Sequence, residues 1–189
     1  MKLYHFSEEK SIVSFAPHVP EHRDDVDAYV WAIDEEHASM YYMPRDCPRA
    51  CFWPGATTTD EDRERWFGGI EARMVIAVES GWLERIRSTT LYRYELPAAS
   101  FTLHLSDTSA GHWVSEETVS PLGVEPVGDL LQALAASDVE LRITPQLMQL
   151  WQRVIESTLA WSGTRLRNAQ GYEGQPQIHT DEHRRAGGR

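Results

Sequence analysis

Three short stretches carry side chains able to do chemistry, and they come in a fixed order. Tyr4-His5-Phe6-Ser7 sets an imidazole beside a hydroxyl near the start of the chain. Trp31-Ala32-Ile33-Asp34 runs into a stretch holding Ala38, Ser39, Tyr41 and Tyr42. Ser115-Glu116-Glu117-Thr118-Val119-Ser120-Pro121 brings two adjacent carboxylates to an extended segment closed by proline. An imidazole and a carboxylate can move a proton when the fold holds both within hydrogen-bonding reach of a substrate. His5 with Glu116 or Glu117 is therefore one candidate acid–base pair. Arg45-Asp46-Cys47-Pro48-Arg49 adds two guanidiniums in a loop. Their planar forks suit a pyrophosphate, and their alternative is surface ion pairing with the many acids. Thr164-Arg165-Leu166-Arg167-Asn168 is a small basic island that would dock on the acidic body or bind an anion.

The elements that must position these groups read as follows. Leu3-Tyr4-His5-Phe6 is a first strand, and Ser7-Glu8-Glu9 is a helix-start signal. Residues 16–27 are polar and proline-broken, hence a loop. Residues 29–33 form a second strand by their β-branched and aromatic content. Asp34 caps a helix through about residue 43, stopped by Pro44. Residues 44–58 hold Pro44, Pro48, Pro54 and Gly55 and read as loop. Residues 59–67 form a charged helix capped by Thr59. Residues 74–78 are a buried strand, 81–86 a short helix or turn, and 90–96 a strand of clean alternation. Residues 101–105, 113–115 and 117–124 are extended. Helices are expected at 127–136, with Leu130, Leu131 and Leu134 on one face, and from Pro145, behind a Thr144 cap, to about residue 161. Many short strands mixed with short helices, without βαβ alternation, indicate an α+β fold. Residues 1–162 are expected to form one α+β domain, and 163–189 a polar, flexible tail.

The ordered set of three stretches resembles the ADP-ribosyltransferase superfamily, in particular its His-Tyr-Glu branch, which holds diphtheria toxin and the poly-ADP-ribose polymerases. Leu3-Tyr4-His5-Phe6-Ser7 looks like the first strand of that branch. Trp31-Ala32 through Ser39-Met40-Tyr41 is similar to its second strand and helix, and Glu117 with Pro121 to its late Glu-to-Pro spacing. The resemblance implies two small packed, mostly antiparallel sheets with short helices. It implies NAD as substrate, no metal, and cleavage of the nicotinamide–ribose bond by an ADP-ribosyltransferase or NAD glycohydrolase. His5 and Glu117 would be catalytic, with His5 bonding the ribose or carboxamide side and Glu117 the ribose 2′-hydroxyl. Tyr41 would stack on nicotinamide, Ser7 and Trp31 would line the cofactor, and Arg45 or Arg49 would hold the pyrophosphate. A carboxylate beside the developing oxocarbenium ion suits that reaction, since one preorganised electrostatic contact contributes about 3–4 kcal/mol. The branch carries a Tyr on its second strand that falls near Val30 here. Tyr29 is one residue off and so faces the other way, unless Trp31 replaces it. That departure keeps open a non-catalytic nucleotide-binding or protein-interaction module on the same fold. The whole chain also resembles an uncharacterised bacterial family of unknown function.

Bulk composition narrows the classes further. Acids outnumber bases 29 to 18, for a formal charge of −11. A nucleic-acid binder needs the opposite balance to neutralise phosphates, so DNA or RNA is not expected as the main partner; a small-nucleotide partner is what the resemblance implies. No apolar run approaches the roughly 20 residues that cross a bilayer, and the N-terminus does not read as a signal peptide. A cytoplasmic setting with free thiols at Cys47 and Cys51 is expected. Two cysteines without a second pair do not make a zinc site. The glycines form neither a Rossmann nor a P-loop pattern, and there is no G-x-S-x-G elbow.

Overall fold

The computed structural model of the chain describes residues 1–19, 27–104 and 110–173. Two sheets face each other. The first has six strands: β1 (Leu3–Ser7), β2 (Val30–Asp34), β5 (Tyr92–Leu96), β6 (Thr102–Leu103), β7 (His112–Ser115) and β8 (Gly123–Pro126), in the order β6-β7-β2-β1-β5-β8. The second has four: β3 (Arg49–Trp53), β4 (Met74–Glu79), β9 (Val139–Thr144) and β10 (Ala160–Thr164), in the order β10-β3-β4-β9. Every pairing is antiparallel except β4 with β9. The helices are α1 (Asp60–Phe67), α2 (Leu83–Ser88), α3 (Leu130–Ala135) and α4 (Leu147–Ile155). The expected α+β class with two mostly antiparallel sheets and short helices is the observed one.

Period-two alternation sorts the side chains into three apolar layers. Tyr4 and Ile33 of the first sheet meet Cys51, Met74, Ile76 and Val78 of the second, with Met40, Ile86, Leu130 and Leu134 closing the layer between the sheets. Ala50, Phe52, Val75 and Ala77 point to the outer side of the second sheet, under Trp66 and Phe67 of α1 and Leu147, Trp151 and Val154 of α4. Leu3, Val30, Ala32 and Tyr94 point outward from the first sheet, beneath Phe15, Phe101 and Val119. β4 lies between β3 and β9 and all six of its residues are buried.

Several expected elements are corrected. The helix expected from Asp34 to residue 43 is a single 3-10 turn, Ala38–Tyr41. Asp34 does cap it in part, since its carboxylate accepts from His37 N at 2.9 Å. Pro44 disfavours helical geometry at Met43, and three successive buried residues, Ala38, Ser39 and Met40, fit a tight turn wedged between layers. Within the expected loop at 44–58, residues 49–53 form β3. Its inward Cys51 and outward Phe52 obey strand alternation despite the flanking prolines. The last helix stops at Ile155, and the chain returns as β10, with Trp161 opposite Phe52. The boundary expected at 162/163 thus falls inside β10, whose Ser162 and Gly163 pair with Cys51 and Ala50. Ser7-Glu8-Glu9 starts a turn instead of a helix, with Ser7 Oγ accepting from Glu9 N at 3.1 Å. The tail expected to be flexible lies outside the described residues from 174 onward, as does part of the 16–27 loop.

Candidate functional site

The six-stranded sheet is split in its middle. β1 pairs with β5 along its whole length, Leu3 to Ser7. β2 pairs with β7 from Val30 to Ile33. Between β1 and β2, however, the only register pairs are Leu3 with Asp34 and Tyr4 with Ile33. Past Tyr4 the two strands part, and the gap opens toward Ser7. Backbone groups freed by such a gap need other partners. His5 supplies one: its Nδ1 donates to the Trp31 carbonyl across the gap at 3.1 Å. Burial pushes the His5 pKa below its ordinary 6.5, the carbonyl bond opposes this, and the positive charges of Arg45 and His18 push it down further. The ring packs on Phe15, centroids 4.7 Å apart. His5 is thus a neutral imidazole set in the seam of the sheet.

On the inner face of the same seam lies an aromatic and imidazole cluster. Phe6 runs parallel to Tyr41 at 6.3 Å. The Tyr41 hydroxyl hydrogen-bonds His112 Nε2 at 2.8 Å. Trp31 lies 6.3 Å from His112 and 4.8 Å from His104, centroid to centroid. The Arg49 guanidinium sits over the Tyr41 ring at 5.0 Å. The Tyr41 ring is therefore already partnered by Phe6 and Arg49, which leaves Trp31 as the aromatic wall beside the gap. Trp31 Nε1 and Arg49 Nε are buried without a hydrogen-bond partner. Unpaired buried donors are rare and costly. Sequence reading missed His104 and His112. Each is a lone histidine, and the pairing of β6 with β7 brings both to Trp31 only in the fold.

At the open end of the seam is a cavity of about 330 Å³ lined by Ser7, Glu8, Glu9, Arg45, Asp46 and Arg85. That is the lower end of the range that holds small ligands. The loop from Pro44 to Pro48 is pinned there, since Arg45 N donates to Glu8 Oε1 at 2.9 Å. Glu8 also pairs with Arg85 at 3.5 Å. Glu9 is occupied by Ser11, whose N and Oγ donate to it at 2.8 and 2.6 Å.

Glu117 stands apart. It lies on the exposed turn after β7, with its N–H donating to Ser115 Oγ at 3.2 Å. Ser115 is opposite Val30, so β7 is two strands from β1, about 10 Å across the sheet. The structure thus joins Trp31, Tyr41 and Arg49 in one cluster and Ser7 with Arg45 in one cavity. His5 lies on the outer face of the seam against Phe15, with its Nδ1 on the Trp31 carbonyl, and Glu117 is on the exposed turn after β7. Cys47 and Cys51 are free and buried. Burial pushes both thiols up to about 12, so neither serves as a nucleophile near neutral pH. Among the described residues no cluster of three or more His, Cys, Asp or Glu could hold a metal. Among them, too, no helix is long and apolar enough to cross a membrane.

One family model matches residues 4–169, and its description is a family of unknown function (DUF6886). No curated protein matches the chain, and no solved structure does.

Proposed function

The chain belongs to this family of unknown function, so its activity must be argued from the site, and we propose that it binds NAD along the seam and cleaves the nicotinamide–ribose bond. It would do so as an ADP-ribosyltransferase or NAD glycohydrolase. The observation that carries this reading is the parting of β1 from β2, with His5 and Trp31 on its edges and the Ser7–Arg45 cavity at its mouth. A dinucleotide needs an anion-holding end and an aromatic end, and the Ser7–Arg45 cavity together with Trp31 beside the gap supports this reading. Arg45 and Arg49 hold the pyrophosphate, and a guanidinium matches it bidentately. Trp31 lies against the nicotinamide. Tyr41 sets the positions of Arg49 and His112, and with Phe6 it backs the ligand. His5, neutral and already bonded through Nδ1, offers Nε2 to the ribose. Glu117 faces the ribose carbon as positive charge builds there, a placement that requires the turn at 116–118 to fold over the bound ligand. The test is nicotinamide release from NAD, followed by chromatography. Wild type should release it, and Glu117→Gln should be slower by roughly 10²–10³-fold. Release at the buffer rate by both proteins would reject catalysis.

A second reading is favoured by one observation, the exposed position of Glu117 away from His5 and Tyr41. The same groove would then bind a nucleotide without turning it over. Its signature is a rise in melting temperature with NAD or ADP-ribose and no nicotinamide release. No shift with either compound would remove both readings.

A further inference from the structure

The basic island at Arg165-Leu166-Arg167 does not belong to a detached tail. Thr164 pairs with Arg49 in the β10–β3 register, so Arg165 leaves the sheet beside Arg49. The turn is then tied to the Pro44–Pro48 loop, because Asn168 Nδ2 donates to the Asp46 carbonyl at 2.7 Å. Arg165 adopts a left-handed backbone, φ 55° and ψ 25°. That conformation is uncommon for a residue with a Cβ and costs energy. Two stretches remote in sequence, 45–49 and 165–167, thus bring Arg45, Arg49 and Arg165 to one place, with Arg167 following. Burial and the guanidiniums of Arg167, Arg45 and Arg49 push Arg165 below its ordinary pKa, against the pull of Asp46. Arg49 is only 3% exposed; its Nη1 donates to the Cys47 carbonyl at 3.1 Å, while its Nε has no partner. Among the described residues none of these four arginines is in an ion pair. Of the nearby acids, Glu8 is engaged by Arg45 N and Arg85, Glu9 by Ser11, and Asp46 acts on Arg165 without an ion pair between them. A chain of formal charge −11 has carboxylates to spare for pairing. Leaving guanidiniums crowded and without a carboxylate partner makes sense when an outside anion is the missing counter-charge.

We propose that Arg45, Arg49 and Arg165, with Arg167 at the rim, form one site for a diphosphate, either inorganic pyrophosphate or the pyrophosphate of a nucleotide. A single phosphate would leave one or two of the guanidiniums unmatched, whereas a diphosphate offers enough oxygens for several bidentate contacts. The nucleotide half of this inference rests on the NAD reading above. The diphosphate half does not.

The test is titration of the full chain with inorganic pyrophosphate in phosphate-free buffer, read by calorimetry and by melting temperature. Arg165→Gly is the informative variant, because glycine adopts the left-handed backbone freely and only the cation is lost. It should bind pyrophosphate at least about tenfold more weakly, with Arg165→Lys intermediate. Arg87→Ala, which removes an exposed arginine paired with Glu84, should bind as wild type does. Without ligand, Arg165→Gly should melt at or above the wild-type temperature, since repulsion among the guanidiniums is relieved. A lower ligand-free melting temperature with unchanged affinity would make Arg165 a structural residue and overturn the proposal. Failure of wild type to bind pyrophosphate would overturn it outright, whatever the outcome for NAD. Pyrophosphate binding without nicotinamide release would reject the NAD reading and leave this one standing.

Discussion

A histidine held in the seam of a sheet by one carbonyl has a measurable consequence. The His5 ring is kept neutral by burial, so its folded pKa lies below the ordinary 6.5. The unfolded chain takes up a proton near 6.5 that the folded chain refuses. Stability is then full above about pH 6.5 and is lost as the pH falls from there through the folded pKa, by at most about 1.4 kcal/mol per unit for one group. Melting temperatures measured between pH 7.5 and 5.5 should fall more steeply for wild type than for His5→Gln. The difference cancels the other histidines, and the carboxylates titrate lower. Parallel profiles would show that His5 is free to protonate in the folded chain. The identity of such a residue was legible in Tyr4-His5-Phe6-Ser7, because an imidazole in a first strand must find a partner. Its partner was not legible, since the Trp31 carbonyl becomes available only where β1 and β2 fail to pair. Glu117 shows the converse. A carboxylate before an extended segment reads as site material, yet the strand it follows, β7, lies two strands from β1, and no local signal carries that order.

The elements read best from sequence were those whose own pattern decides them. Residues 60–67 start behind Thr59, whose side chain accepts from Asp62 N, and Tyr92–Leu96 alternates without interruption. β3 and β10 were misread for a physical reason. Pro48 and Pro54 bracket β3, and Leu147 to Trp161 keeps helical spacing past the true end of α4, so only pairing between the two segments makes them strands. The 3-10 turn at Ala38–Tyr41 depends on a contact of the same non-local kind. Gly111 has φ +70° and accepts from Asp34 N at 3.0 Å, which fixes the start of β7 against the end of β2. A Cβ at this position would come within 2.5 Å of Asp34 Oδ2 and closer still to His37 Nδ1. It would break the 2.8 Å bond between those two side chains. Gly111→Ala should therefore destabilise the chain by about 3 kcal/mol, left-handed strain and overpacking together. Denaturant unfolding measures this directly. A loss under about 1 kcal/mol would mean that the turn relaxes and that the Asp34–His37 contact does not hold the β2–β7 junction.

At the scale of the molecule, the two sheets share one apolar layer while each also has its own outer layer. Tyr4 and Ile33 come from one sheet, Met74 and Ile76 from the other, and Leu134 of α3 is 1% exposed against both. The site depends on this arrangement. The seam opens in the first sheet, whereas Arg49 and Arg165 come from β3 and from the turn after β10 in the second. The dinucleotide reading needs His5 and Trp31 of the first sheet to keep one position relative to those arginines, and the shared layer helps to hold it. Unfolding should accordingly be a single cooperative event in spite of three distinct apolar layers. Leu134→Ala removes a fully buried side chain from the shared layer, which costs about 2–5 kcal/mol and lowers the melting temperature by roughly 10 °C in a chain of this size. The far-ultraviolet and near-ultraviolet signals should shift by the same amount. If Leu134→Ala instead separated the transition into two, with the near-ultraviolet signal lost first, the sheets would be independently stable, and the placement of His5 and Trp31 against Arg45 and Arg49 on one ligand would lose its structural basis.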